Sequence, residues 1–311
     1  MRNLVTGGAG FIGSHLCERL LEKGEVICLD NFDPYYSPEV KHKNIEPLLQ
    51  HPDFELVEGS ILDKDMLCKL FEGADYVFHN AAQAGIRISV EQPAKAHEVN
   101  ATGTLNVLEA AVSAGVKKVI NASSSSVYGK ISYLPFDEGH PNVPVSPYGV
   151  SKLAAEHYCR VFSEIYGLKT ISLRYFTVFG PRMRPDLAIH IFTKKALNNE
   201  PIEIFGDGEK TRDFTYIDNI VESNILSMKR GSGAYNIGGS ERVSVNDLAR
   251  KIVEIVGSNS EIIYSAAVKG DAEHTWADVS KARKEFGYVP RIGLDEGLKE
   301  YVQWVERLKE Q

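Results

Sequence analysis

Gly7-Gly8-Ala9-Gly10-Phe11-Ile12-Gly13 follows a short β-prone run, Asn3–Thr6, and leads into the amphipathic stretch Ser14–Lys23. Gly7, Gly10 and Gly13 have the spacing G-x-x-G-x-x-G. The first permits a tight turn, the second lets a pyrophosphate approach the backbone, and the third lets helix and strand pack closely. The N-terminus of the following helix then offers N–H donors and a positive dipole end to a phosphate. A glycine motif alone fits any tight strand–helix turn, so its setting decides the reading. The next strand-like run, Val26–Asp30, ends in an acid. The Asp30 carboxylate can accept both ribose hydroxyls and would repel a 2′-phosphate, which points to NAD over NADP.

Further β-rich runs at Phe54–Glu58, Tyr76–Asn80, Lys118–Ser123 and Lys169–Tyr175 alternate with the amphipathic stretches Lys64–Phe71, Ala96–Ala114 and Pro147–Tyr166. That alternation predicts an α/β fold of the Rossmann type, a doubly wound parallel sheet with strands buried on both faces. After Gly180 the chain turns to loops rich in Gly, Pro and Arg, with helical runs at Val245–Val256 and Asp295–Lys309. We expect an NAD-binding domain over residues 1–175, a returning segment near 214–237, and a smaller substrate-binding α/β region over 176–311. The second region should close over the strand ends, where open α/β sheets place their ligands.

Composition narrows the function further. The net charge of −7 argues against a nucleic-acid surface, which needs a basic face. Cys17, Cys28, Cys68 and Cys159 form no C-x-x-C pair, and each sits in an apolar stretch. They read as reduced packing residues of a cytoplasmic protein, with no metal site. The start, Met1-Arg2-Asn3-Leu4-Val5, does not read as a signal peptide, and no apolar run is long enough to span a bilayer.

Ser146-Pro147-Tyr148-Gly149-Val150-Ser151-Lys152 reads as a helix start, with Ser146 as N-cap and Pro147 in the first turn. Tyr148 and Lys152, four apart, share one helix face. An ammonium beside the phenol should lower its pKa from about 10 and make Tyr148 a usable proton acceptor. On spacing alone such a pair is common. It gains meaning beside the glycine motif and the serine run Ser123–Ser126, whose Ser124 falls at the ligand end of a strand.

Taken together, these residues resemble the extended short-chain dehydrogenase/reductase family, and within it the nucleotide-sugar epimerases. The resemblance runs through Thr6–Gly13, Asp30-Asn31-Phe32, Ala81-Ala82-Gln83-Ala84-Gly85, Asn100, Ser124, Tyr148 and Lys152, Arg174-Tyr175-Phe176, Gly206-Asp207-Gly208 and Arg212-Asp213-Phe214. It implies that Tyr148 takes the proton of a sugar 4-hydroxyl while the C4 hydride passes to NAD⁺. The 4-keto sugar then turns and receives hydride on its other face. Ser124 hydrogen-bonds the reacting oxygen, and Lys152 also holds the nicotinamide ribose. The cofactor contacts implied are Gly7, Gly10, Phe11, Ile12, Gly13, Asp30, Asn31, Ser60, Ile61, Ala81, Ala82 and Asn100, with Tyr148 and Lys152. Ser60 stands where the family often has an aspartate, which weakens the adenine contact there. By the same analogy Arg212 and Asp271 meet the UDP diphosphate and ribose, a guanidinium fork being suited to a diphosphate.

Within that family Arg87, Thr177, Arg184 and the run Asp30–Tyr36 are most similar to the UDP-glucuronate 4-epimerases. There Ser125, Ser126 and Thr177 would form a neutral hydroxyl cradle for the uronate carboxylate, and Arg184 would guard the substrate. Related decarboxylases carry an acid where Ser126 stands, and dehydratases an Asp-Glu pair nearby; Ser123–Tyr128 contains neither. The competing readings are a UDP-glucose or UDP-N-acetylglucosamine 4-epimerase, and a 4-keto-sugar reductase of the same fold. The resemblance also implies a homodimer built on the helices of Ala96–Ala114 and Pro147–Tyr166.

Overall fold

The structure is a computed structural model that describes residues 1–239, 241–266 and 273–309. The strands are β1 (Arg2–Thr6), β2 (Glu25–Asp30), β3 (Phe54–Glu58), β4 (Tyr76–His79), β5 (Lys118–Ser124), β6 (Thr170–Tyr175) and β7 (Thr177–Phe179). They continue with β8 (Ile202–Phe205), β9 (Thr211–Tyr216), β10 (Gly233–Ile237), β11 (Arg242–Ser244) and β12 (Ile262–Ser265). Helices α1 (Phe11–Leu21), α2 (Pro38–Ile45), α3 (Lys64–Leu70), α4 (Ile86–Glu91), α5 (Pro93–His97), α6 (Gly103–Ala114) and α7 (Pro147–Tyr166) belong to the first half. The second half adds α8 (Ala188–Leu197), α9 (Ile217–Ser227), α10 (Val245–Val256), α11 (Ser280–Phe286) and α12 (Leu294–Lys309).

One seven-stranded sheet has the order β10-β6-β5-β4-β1-β2-β3, and every neighbouring pair in it is parallel. Alternate residues serve opposite faces, as the strand period of two requires. Leu4, Ile27, Leu29, Val77 and Val119 pack with Leu67, Leu108, Cys159 and Phe162, under α3, α6 and α7. Val5, Val26, Cys28, Phe78 and Ile120 point the other way, toward Leu16, Cys17 and Leu20 of α1 and a core that runs on into the second half. Chain order reverses between β1 and β4, so the crevice at their carboxyl ends is the ligand position of such a sheet. The fold class read from the alternating pattern is the one observed.

A three-stranded sheet, β11-β9-β7, and a two-stranded pair, β12-β8, form outside the first sheet, while β10 returns to pair with β6. A buried lysine secures that return. Lys118, at the start of β5, donates from Nζ to the carbonyls of Ser227, Arg230 and Gly231 at 2.7, 2.6 and 2.8 Å. The first is the last carbonyl of α9, left without a helical partner, and the other two lie in the turn that leads to β10.

Two expectations need correction. Ala96–Ala114 is not one helix: α5 ends at His97, Glu98–Thr102 forms a π-helical turn, and α6 starts at Gly103. The wider turn lets the Asn100 side chain leave the helix to bond elsewhere, as described below. Cys68 is exposed, whereas Cys17, Cys28 and Cys159 are buried as packing residues should be. Among the described residues no helix is long and apolar enough to cross a membrane.

Lys118→Met keeps the stem but leaves three carbonyls unpaired in a buried setting. It should lower unfolding free energy by roughly 2–4 kcal/mol in a denaturant titration. A change below about 0.5 kcal/mol would show that the lysine does not hold β10 in place.

Candidate active site

A cavity of about 590 Å³ opens along the carboxyl ends of the parallel strands. Its floor begins at the glycine turn, where Gly7, Gly10, Phe11, Ile12 and Gly13 all line it. Two of these glycines have no substitute. Gly7 has φ +67°, and a Cβ on it would lie 2.7 Å from the Ala81 nitrogen; a Cβ on Gly13 would lie 2.1 Å from the Gly7 carbonyl oxygen. Both contacts are far inside van der Waals distance. The turn is thus packed as tightly as backbone permits, and Gly10 caps α1 with no side-chain hydrogen bond. A helix N-terminus so presented suits the pyrophosphate of a dinucleotide.

Asp30 lies beside this turn at the end of β2 and lines the cavity with Asn31, Ser60 and Ile61. Its carboxylate accepts from the backbone N–H of Ala9 at 3.1 Å and of Phe32 at 2.8 Å. Buried Lys41 stands 3.6 Å away and offsets part of its charge. Repulsion of a 2′-phosphate is therefore weaker than a bare carboxylate would give. Each carboxylate oxygen still has a lone pair to offer, so the ribose hydroxyls of a dinucleotide fit here. Ala81 and Ala82 continue the lining.

Asn100 does not line the cavity. It is 1% exposed and acts as a hydrogen-bond hub. Its Oδ1 accepts from the Gln83 N–H at 2.7 Å, while Nδ2 donates to the Gln83 carbonyl at 3.1 Å and the Ser151 hydroxyl at 2.9 Å. It ties the loop after β4 to α7 and so shapes the cavity from behind.

Tyr148 and Lys152 enter from α7, whose start follows the sequence closely. Ser146 accepts from the Gly149 N–H at 3.1 Å, and Pro147 occupies the first turn. The Tyr148 N–H is held separately by the Ser89 hydroxyl of α4 at 3.1 Å. Ser124, the last residue of β5, lines the same cavity. Burial pushes the Tyr148 hydroxyl above its ordinary pKa, while the hydrogen bond with Ser124 and the charge of Arg184 pull it down. The ammonium of Lys152 is not the partner that spacing indicated. It donates to the Ala122 carbonyl at 2.8 Å and lies 6.0 Å from the Tyr148 ring centroid. Desolvation lowers its own pKa to about 8, with Cys159 and Glu156 opposing. Buried His79 lies between the hydroxyls of Thr6 and Thr104, its pKa lowered to about 3 chiefly by burial, as suits a packed, neutral ring.

On the opposite wall, Thr177 and Arg184 line the cavity. Arg184 forks onto Asp186 at 3.0 and 3.2 Å and lies 5.4 Å over the Tyr35 ring, whose hydroxyl also donates to Asp186. Ser125 and Ser126 sit one step back, in a 3-10 turn outside the lining, with the Ser126 N–H and hydroxyl bonded to Ser124. Exposed Arg87 stacks over Phe205 at 6.0 Å, also outside it. Arg212 donates to the carbonyls of Thr211 and Glu273, and Asp271 lies outside the described residues. Tyr35, Tyr36 and Lys41 line the cavity although no role had been read for them. Their sequence signal was the run Asp30–Tyr36 and the basic Lys41-His42-Lys43 after it, which marks the segment but gives no single residue a role. Among the described residues no group of His, Cys, Asp and Glu is placed to hold a metal ion.

Comparison with known proteins agrees with this geometry. Residues 3–238 match the family model described as the NAD dependent epimerase/dehydratase family. A UDP-glucuronate 4-epimerase of Thermodesulfobacterium geofontis is 40% identical over 307 residues, covering 97% of this chain and 95% of that protein. The solved structure of a UDP-glucuronic acid 4-epimerase from Bacillus cereus, in complex with UDP-glucuronic acid and NAD, superposes with a TM-score of 0.94 at 38% identity. It covers 99% of this chain and 100% of that one. A UDP-glucose 4-epimerase from Thermotoga maritima, solved with UDP-glucose, gives 0.93 at 38% identity over the same shares. A tight glycine turn, a ribose-side acid and a serine–tyrosine–lysine set thus accompany similarity along nearly the whole chain, and the protein belongs to the NAD dependent epimerase/dehydratase family.

Proposed function

We propose that the protein epimerises a UDP-sugar at carbon 4 through a transient 4-keto intermediate, with UDP-glucuronate as substrate and UDP-galacturonate as product. The observation that carries the reading is the meeting of Tyr148 and Ser124 in one cavity with the glycine turn. Bound at that turn, NAD⁺ supplies a hydride acceptor that is restored within each cycle. Tyr148, in the first turn of α7 where Ser146 and Ser89 fix the backbone, accepts the proton of the 4-hydroxyl and later returns it. Ser124 donates to the same oxygen as it becomes a carbonyl. Lys152, whose ammonium donates to the Ala122 carbonyl and is favoured by Glu156, acts on the phenolate through space and not by contact.

Uronate chemistry favours the hydroxyl-lined end of β5. Oxidation at carbon 4 of a uronate gives a β-keto acid, which loses CO₂ readily, so the carboxylate must be held where C–C cleavage is disfavoured. Thr177 and Arg184 line the same cavity from the facing wall, and each hydrogen bond to a charged group contributes roughly 1.5–3 kcal/mol. Ser125 and Ser126 serve the cradle from the turn behind Ser124, and no acid stands between Ser123 and Tyr128. By the family resemblance the UDP moiety falls to the second half of the chain, with Arg212 meeting its diphosphate. Separate incubations with UDP-glucuronate, UDP-glucose and UDP-N-acetylglucosamine, with C4 epimers resolved, test the reading. UDP-glucuronate should turn over best without added NADH, and Tyr148→Phe should lose roughly 10²–10⁴ of that rate. Turnover of the neutral sugars alone sinks the uronate assignment, and full activity in Tyr148→Phe sinks the mechanism.

We also infer that the protein is a homodimer. Val150 and Tyr158 leave α7 exposed by 53% and 37%, and the groove beside them is lined by Pro93, Val145 and Pro147. Leu105 and Val112 of α6 are partly buried within the chain, so α7 carries most of this apolar face. Light scattering should return twice the 34.5 kDa of one chain, and a single-chain mass at micromolar concentration contradicts the dimer.

A further inference from the structure

Tyr148, Lys152 and Glu156 follow one another at intervals of four along α7, and each meets one of the last three residues of β5. Tyr148 bonds with Ser124, Lys152 donates to the Ala122 carbonyl at 2.8 Å, and the Ser123 hydroxyl donates to Glu156 Oε1. Glu156 is held from a third element as well. Arg174, the register partner of Ser123 across β5 and β6, donates from Nε at 2.9 Å and Nη2 at 2.7 Å to its two oxygens. The guanidinium lies 4.8 Å over the ring of fully buried Tyr128, whose hydroxyl donates to Asn236 of β10 at 2.6 Å. The two charged side chains are 4% and 7% exposed.

Such a pair needs a reason. Removing two charges from water costs about as much as their attraction returns, and apolar residues of equal volume often stabilise a protein as well or better. We propose that the Glu156–Arg174 pair is the positioning element of the active site, holding α7 against β5 in the register that brings Tyr148 to Ser124 and setting a carboxylate one turn behind Lys152. This inference rests on the 4-epimerase reading for its activity readout alone.

The groups around Lys152 fix the sign of its pH signature. Tyr148, Glu156 and Cys159 share its helix, β4 presents neutral His79, β5 presents the Ala122 carbonyl, and β6 carries Arg174 behind Glu156. Glu156 is the carboxylate that favours the ammonium. Glu156→Gln deletes it and leaves the Arg174 cation uncompensated, so Lys152 loses its proton at lower pH. The alkaline limb of kcat should move down by about one pH unit. With the helix register loosened, kcat should fall roughly 10- to 100-fold while KM stays within about twofold. Nitrogen-15 NMR of the lysine side chain should show the same downward shift of Lys152, whichever sugar is turned over. A pair that serves only folding would lower the melting temperature and leave kcat and its pH limb unchanged. That result overturns the proposal, as does an unshifted Lys152 resonance. If Glu156→Gln does not fold, Glu156→Met with Arg174→Met removes both buried charges together. It should fold, retain NAD on gel filtration and show the same fall in kcat; wild-type kcat in that variant contradicts the positioning role. Absence of epimerisation by the unaltered protein, with the resonance shift present, would instead tell against the epimerase reading.

Discussion

The site depends on how one helix lies against the end of one strand. Helix α7 brings Tyr148 and Lys152, β5 brings Ser124, and neither element is useful without the other. Their relative position is fixed at both ends: the Ser146 cap and the Ser89 hydroxyl set where the helix begins, and Lys152 and Glu156 fasten its inner face to Ala122 and Ser123. A parallel sheet makes this possible, because all its carboxyl ends open onto one edge. The glycine turn after β1, Asp30 after β2 and Ser124 at the end of β5 therefore share one cavity although more than a hundred residues separate the first from the last.

Electrostatics in that cavity are more mixed than its motifs indicate. Burial alone would make Tyr148 a poor base, and what works against it comes from Ser124 and Arg184 rather than from contact with Lys152. Burial likewise brings Lys152 toward neutrality near pH 8, where a modest change in its surroundings alters its charge. Asp30 is screened by Lys41, so selectivity for the ribose depends on geometry as well as on charge. Reversible oxidation asks for this balance, since the same groups must release and then return a proton. The acid-free run from Ser123 to Tyr128 leaves no group placed there to divert a keto intermediate into elimination.

Much of this was legible in the sequence where the cause is local. Strand ends were read to within about a residue because turn chemistry and apolar runs mark them, as at Phe54–Glu58 and Thr170–Tyr175. The start of α7 followed from Ser146 and Pro147, and the glycine turn from its spacing together with the strand before it, the helix after it and Asp30. The misses share a different cause. The π-turn at Glu98–Thr102 carries Asn100, which bonds to Gln83 and Ser151, partners 17 and 51 residues away. Lys118 meets carbonyls more than a hundred residues on, and Tyr35 meets Asp186 across 151 residues. Arg87 stacks on Phe205 and Arg212 donates to backbone carbonyls, contacts that their charge alone does not foretell. Helical and strand periodicity hold no record of such pairings, which the tertiary fold creates.

The central claim is that carbon 4 is oxidised and reduced again within one closed site. A UDP-sugar carrying deuterium at carbon 4, taken to equilibrium in ordinary water and examined by NMR or mass spectrometry, tests it most directly. The account predicts that both epimers keep deuterium at carbon 4, with none lost to solvent. Deuterium washed out in step with epimerisation would contradict it, since the hydrogen would then have left as a proton rather than returned as a hydride.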